Sequence, residues 1–272
     1  MFKHKLPARL ILAALISAAI PALADEAHAS TICTIVADAA SGEIVKEEGR
    51  CDERAVAAST FKIPISLMGF DAGILKDAQS PALPFKEGYA DWRPSWRHTT
   101  DPAKWMKDSV VWYSQEMTRK LGEPRFRNYV QTFQYGDMDL SGEAGKNNGL
   151  TYAWLRSLKI SPREQVAFLR KVAMRQLLVS DTAYDMTGAL IDQGLQPGGW
   201  HVYGKTGAGL ATQAGQADAA DRYRGWFVGW ATKNGRTLVF ARLTAEEKVS
   251  VASSAARRDK VVHDLFSEAS GL

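Results

Sequence analysis

Metal ligands are scarce in this sequence, and so is any concentration of charge. Its 272 residues include two cysteines and five histidines. Two cysteines alone cannot make a Cys-type metal site. His4, His28, His98, His201 and His263 show neither His-x-x-x-His nor His-Glu-x-x-His spacing, so no metal site is expected. Lys and Arg total 34 against 30 Asp and Glu, a net charge of +4 that is scattered, with no basic run or Arg-rich stripe. That excludes the usual electrostatic footprint of a nucleic-acid partner. No repeat or low-complexity tract interrupts the chain. With 46% hydrophobic and 24% charged residues, the composition is that of a globular protein with enough chain for a substantial core.

The N-terminus reads as a targeting segment. Lys3, Lys5 and Arg9 precede an 11-residue apolar stretch, Leu10 to Ile20. This is shorter than the ~20 residues a spanning helix needs. Small residues follow and offer cleavage after Ala24 or after Ala29, the pattern of a secretory signal peptide. The expected organisation is therefore a signal over 1–29 and one domain over 30–272, with no membrane span once the signal is removed. Export also explains the cysteines. Cys33 and Cys51 flank a polar turn at Asp38 to Gly42 in a predicted hairpin, and an oxidising compartment would pair them. The bridge would close a loop of roughly 15–20 residues, worth about 3 kcal/mol.

Helical signals dominate the middle of the chain. Asp101-Pro102 predicts an N-cap with Pro at N1, opening a helix through Trp105 and Met106. Ser161-Pro162-Arg163-Glu164 has the form of a capping box, which accounts for Glu164 without catalysis. A further helix is predicted from Asp181 through Ile191, stopping at Gln193-Gly194. From Gly199 onward the runs become short, aromatic and β-branched: Trp200 to Lys205, Gly225 to Ala231 and Thr237 to Leu243. Asn234-Gly235 between the last two is a strong hairpin signal. A final helix is expected over Ser254 to Ser267. Strands at both ends with helices between them predict an α+β fold: an antiparallel sheet of N- and C-terminal strands, flanked by helices, with a mainly helical insertion.

Three short motifs carry chemistry in combination. Ser59-Thr60-Phe61-Lys62, at the expected start of a helix, lets an amine reach a hydroxyl three residues away. Its plainer reading is an N-cap serine with a solvated first-turn lysine. Ser109-Val110-Val111 adds a second hydroxyl. Lys205-Thr206-Gly207, at the expected end of a strand, adds an ammonium and a glycine that permits close backbone approach. The set and its order are similar to the penicillin-recognising serine enzymes. The Ser-x-Val middle motif makes the chain resemble the class D, oxacillinase-type β-lactamases. Tyr135-Gly136, Trp154 ahead of Leu158-Lys159-Ile160-Ser161, Glu164-Gln165, and Gly225 to Trp230 extend the resemblance over most of the chain.

The resemblance implies a periplasmic hydrolase that opens the β-lactam ring of penicillins and related antibiotics through a serine acyl-enzyme. The alternative is a β-lactam sensor domain that acylates without turnover. Ser59 would be the nucleophile. Lys62, carboxylated by carbon dioxide to N6-carboxylysine, would be the general base, with no bound cofactor besides that carbon dioxide or bicarbonate. Burial lowers a lysine pKa, so an apolar wall of Phe61, Val110, Val111, Trp154 and Leu155 would favour the neutral amine this reaction needs. Trp154 would donate its indole N–H to the carbamate. Ser109, helped by Lys205, would pass a proton to the departing nitrogen. Val111, Thr206 and Gly207 would line the substrate site, and the backbone N–H groups of Ser59 and Ala208 would form the oxyanion hole. The sequence departs from the family at Asp137, where Asn is usual after Tyr-Gly, and at Ala208, which is small. The carboxylate-binding arginine is expected near the start of the last helix, where Arg257 is the first candidate and Arg258 the second. Substrate preference is expected to reside largely in the 208–224 loop, and the oligomeric state is not legible.

Overall fold

The computed structural model describes residues 29–211 and 223–272, besides Met1. Residues 2–28 of the expected signal segment and most of the 208–224 loop thus lie outside the described residues. Six strands form one antiparallel sheet in the order β2-β1-β8-β7-β6-β5. They are β1 (Ser30–Asp38), β2 (Ile44–Gly49), β5 (Asp192–Leu195), β6 (His201–Leu210), β7 (Tyr223–Lys233) and β8 (Arg236–Glu246). A small second ladder pairs β3 (Ala55–Val56) with β4 (Lys159–Ile160). The helices are α1 (Lys62–Asp71), α2 (Pro102–Asp108), α3 (Val111–Leu121), α4 (Glu123–Phe133), α5 (Gly149–Arg156), α6 (Pro162–Ala173), α7 (Asp181–Leu190) and α8 (Val251–Phe266). This is the α+β arrangement expected from the distribution of strand and helix signals.

Strand alternation divides the core in two. Phe227, Ala231, Leu238, Phe240 and Val36 face α8, where they meet Val261, Leu265 and Phe266. Trp226, Val228, Trp230, Val239 and Ala241 face the other way, into the larger core shared with the helical region. Because both faces of the central strands are covered, these strands read as continuous apolar runs rather than as an alternating pattern.

The local signals act as their chemistry dictates. Asp101 accepts from the Lys104 amide at 2.8 Å. Ser161 and Glu164 exchange both capping-box hydrogen bonds, at 3.2 and 2.8 Å. Asn234 and Gly235 both adopt positive φ, as a two-residue hairpin turn between β7 and β8 requires. Cys33 and Cys51 are joined, with Cα atoms 5.1 Å apart across 18 residues of sequence.

Three boundaries differ from expectation. β6 does not end at Lys205: Gly207 and Gly209 let its backbone pass close to Thr60 and Val56, and pairing with β7 continues to Leu210. α8 begins at Val251, because Ser250 and Ser253 form a capping box. The segment after α7, expected to stop that helix at Gln193-Gly194, turns back as edge strand β5 along β6.

Candidate active site

Ser59 is not a helix N-cap. It lies in a 3-10 turn, Ala58–Phe61, that runs directly into α1. Three residues per turn place i and i+3 one above the other. Accordingly, Lys62 Nζ donates to Ser59 Oγ at 3.3 Å. The preceding residue, Ala58, is held at φ +49°, a left-handed conformation disfavoured for a side chain with a Cβ. The plainer reading of Lys62 as a solvated charge is excluded, since it is 1% exposed. Burial, then the positive charges of Lys205 and Arg93, hold its pKa well below the ordinary lysine value.

Aromatic residues build the wall around this turn. The Phe61 ring stacks on Trp154 at 5.6 Å and meets Tyr135 edge-on at 5.1 Å. Trp154 Nε1 is the sole buried side-chain nitrogen or oxygen without a hydrogen-bond partner among the described residues. Such an orphan is costly unless something fills the position. Gln165 Nε2 donates to Thr60 Oγ1 at 3.0 Å and to the Tyr135 hydroxyl at 3.3 Å, tying α6 to the serine turn. Asp137 serves the backbone locally: its carboxylate accepts from the Lys159 and Asp139 amides at 3.0 and 3.2 Å.

Ser109 caps the C-terminus of α2 with φ +58° and ψ +39°. That turn delivers Ser109 to the cavity, which Val111 also lines, with Val110 buried between them. Lys205 is buried within β6, and its Nζ donates to the Thr206 carbonyl at 3.0 Å. Burial, with Arg93 and Arg257 as neighbouring positive charges, brings its pKa down to about 7. Neutral and charged forms of this amine are therefore both accessible near neutral pH.

A cavity of about 580 Å³ brings together Ser59, Ser109, Val111, Thr206, Gly207 and Ala208. Lys205 faces an adjoining cavity of about 360 Å³ that shares Lys107, Thr206 and Arg258 with the first. Trp154 stands behind the wall rather than in it. Arg257 also lies outside the lining: it is 6% exposed and gives Glu246 two hydrogen bonds, Nε at 2.5 Å and Nη2 at 2.6 Å. Its Nη1 supports the Gly207 carbonyl at 3.3 Å from the far side of β6. Arg258, the second candidate, does line the cavity. Trp92, Arg93, Trp96, Lys107 and Arg156 also line this cavity, and Glu246 pairs with Arg257; none of them stands in a motif recognised in the sequence. A dense Trp-Arg-Pro-Ser-Trp segment at 92–96 was the available signal.

Known proteins resemble the chain over most of its length. The penicillin binding protein transpeptidase domain model matches residues 32–267. β-Lactamase OXA-9 of Klebsiella pneumoniae is 45% identical over 239 residues, 86% of each chain. β-Lactamase OXA-1 of Escherichia coli is 38% identical over 220 residues, covering 76% of this chain and 74% of that one. The crystal structure of the OXA-427 class D β-lactamase matches with a TM-score of 0.80 and 44% identity, covering 86% of this chain and 96% of that one. With its serine turn, its buried lysine pair and these relatives, the chain belongs to the penicillin-binding protein transpeptidase family and, within it, to the class D β-lactamases.

Proposed function

We propose that the protein hydrolyses β-lactams by way of an ester on Ser59, and that Lys62 works in the carboxylated form. The observation that carries this reading is the 3.3 Å contact between Ser59 Oγ, which lines the cavity, and a fully buried Lys62 amine. A lysine held neutral by burial is a nucleophile toward carbon dioxide. The surroundings fit the product. The unpartnered Trp154 N–H can donate to it, and the Phe61, Val110 and Leu155 side chains exclude water. Carbon dioxide so bound would supply the general base for forming and for hydrolysing the ester.

Ser59 Oγ attacks the lactam carbonyl carbon, its proton leaving toward the Lys62 side chain. The backbone N–H groups of Ser59 and Ala208 take the charge that develops on the carbonyl oxygen. As the C–N bond breaks, the Ser109 hydroxyl passes a proton to the ring nitrogen, with the Lys205 ammonium as its source. The proton that Lys62 took from Ser59 passes back through Ser109 to recharge Lys205, and water then cleaves the ester: its hydroxyl goes to the carbonyl carbon and its proton, by way of Lys62, to Ser59 Oγ. Val111 and Gly207 shape the floor, and Thr206 holds the ring carboxylate. Arg258, which lines both cavities together with Thr206, meets the same carboxylate, while Arg257, the first candidate, acts by supporting the Gly207 carbonyl.

The Cys33–Cys51 bridge and the charge and apolar pattern of residues 3–24 support export to the periplasm as a single domain, 30–272, after loss of a signal over 1–29. Among the described residues no helix is long and apolar enough to cross a membrane.

The test is benzylpenicillin turnover by the purified protein with and without added bicarbonate. Sustained turnover that rises with bicarbonate is expected. Consumption of one equivalent that then stops would replace hydrolysis with a sensor that keeps its acyl group. Ser59→Ala is expected to abolish both labelling and turnover.

A further inference from the structure

We propose that Arg93 is a specificity-determining residue that binds a second anionic group on the substrate, so that the enzyme favours β-lactams whose acylamino side chain carries a carboxylate. The inference rests on the hydrolytic reading above and narrows its substrate class.

The described lining of the main cavity contains Arg93, Lys107, Arg156 and Arg258, and no aspartate or glutamate. One cation suffices for the ring carboxylate, and Arg258 stands beside Thr206 on the wall made by β6 and α8. Arg93, Lys107 and Arg156 carry the remaining positive charge of the lining. Arg156 is met by Glu143 at 3.4 Å, and Arg258 by Asp259 at 2.8 Å. The side chains of Arg93 and Lys107 make no hydrogen bond or ion pair among the described residues. Asp108, the carboxylate that acts on Arg93 from a distance, is already taken by Lys104.

Of the two, Arg93 is the one built into place. Its guanidinium is half-buried and lies 5.6 Å from the centre of the Trp96 ring. Trp96 is itself fixed, its Nε1 donating to the Asp108 carbonyl at 3.0 Å and its own carbonyl accepting from Trp112 Nε1 at 2.9 Å. An unpaired, partly desolvated guanidinium on a rigid aromatic platform suits a carboxylate that arrives with a ligand. Arg93 is also close enough to the reacting centre to act as a like charge on both Lys62 and Lys205. The Trp92 ring, 58% exposed, stands 5.7 Å from that of Trp96. Together they offer an aromatic surface beside the cation. A side chain bearing both a phenyl ring and a carboxylate complements the two features. With the ring carboxylate on the β6–α8 wall, the acylamino side chain is the substituent that reaches this rim.

Carbenicillin and benzylpenicillin form a matched pair that differs by one carboxylate on that side chain. Steady-state kcat/KM for each substrate is measured for the native enzyme, Arg93→Gln and Arg93→Lys. Arg93→Gln is expected to lower the carbenicillin-to-benzylpenicillin ratio about tenfold, chiefly through the KM for carbenicillin. Arg93→Lys, which keeps the charge, is expected to recover most of the ratio. Added salt should lower the native ratio and leave that of Arg93→Gln nearly flat. A ratio that stays within about twofold in Arg93→Gln, whatever happens to the absolute rates, overturns the role of Arg93. A native enzyme that turns over neither penicillin overturns the hydrolytic reading instead.

Discussion

Gly207 and Thr60 touch across the two halves of the site: a Cβ built on Gly207 would lie 3.0 Å from both the Thr60 amide nitrogen and its Cγ2. The Ser59 amide nitrogen would be 3.3 Å from the same atom. Strand β6 is therefore seated directly on the serine turn, and nothing larger than hydrogen fits at 207 without a shift. Gly207→Ala is expected to displace β6 by a few tenths of an ångström and to lower kcat/KM on the order of 10²-fold. Circular dichroism and steady-state kinetics on one preparation will separate that loss from unfolding.

Trp154 offers a cleaner probe of the lysine's chemical state. Trp154→Phe keeps a ring to stack on Phe61 and removes the unpartnered N–H. Turnover at ambient carbon dioxide should fall about tenfold, the loss of one good hydrogen bond to a charged group, and saturating bicarbonate should restore much of it. A deficit indifferent to bicarbonate would assign Trp154 to packing alone.

Lys62 should weaken the fold it serves. Its pKa is depressed in the native state, so the unfolded chain binds more protons over the window below about 10.4, and stability rises with pH there. Lys62→Met removes this burden. The variant is expected to be inactive yet more stable at pH 7 by about 0.5–2 kcal/mol, with the advantage shrinking as pH approaches 10. Urea denaturation at pH 7 and pH 9.5 measures both the gain and its trend.

Lys205 sets an alkaline limit on catalysis. With its pKa near 7 in the free enzyme, the amine is charged below that pH and neutral above it. If the ammonium supplies the proton to the leaving nitrogen, kcat/KM should decline as pH rises through about 7. Lys205→Arg, whose guanidinium stays protonated, should move that decline upward by more than one pH unit even if the maximal rate falls.

The proposed nucleophile Ser59, its partner Lys62 and the second buried lysine, Lys205, were legible because each sits in a short motif whose spacing carries its geometry. The sheet was legible because β7 and β8 are nearly unbroken apolar runs joined by Asn234-Gly235. What escaped depends on distant partners. Arg257 and Arg258 are adjacent, so a turn of about 100° decides which faces the cavity. Glu246, 11 residues earlier in sequence, draws Arg257 into the interior. Arg93 belongs to a loop with no periodicity, and only the packing of Trp96 under Asp108 and Trp112 brings it to the rim. Strand β5 has few apolar residues, and its pairing with β6 is all that defines it.

The pairing of β1 with β8 has a consequence for how the protein comes into being. Partners such as Ser30 and Ala245, or Asp38 and Leu238, are separated by about 200 residues of chain. Closing so long a loop is entropically unfavourable and slow, and it is impossible before the last strand has been synthesised. A chain that stops after β7 leaves β1 without its central neighbour and exposes two apolar edges to aggregation. The proposed nucleophile near the beginning of the chain thus waits for residues near its end, and an unfinished polypeptide has no assembled site.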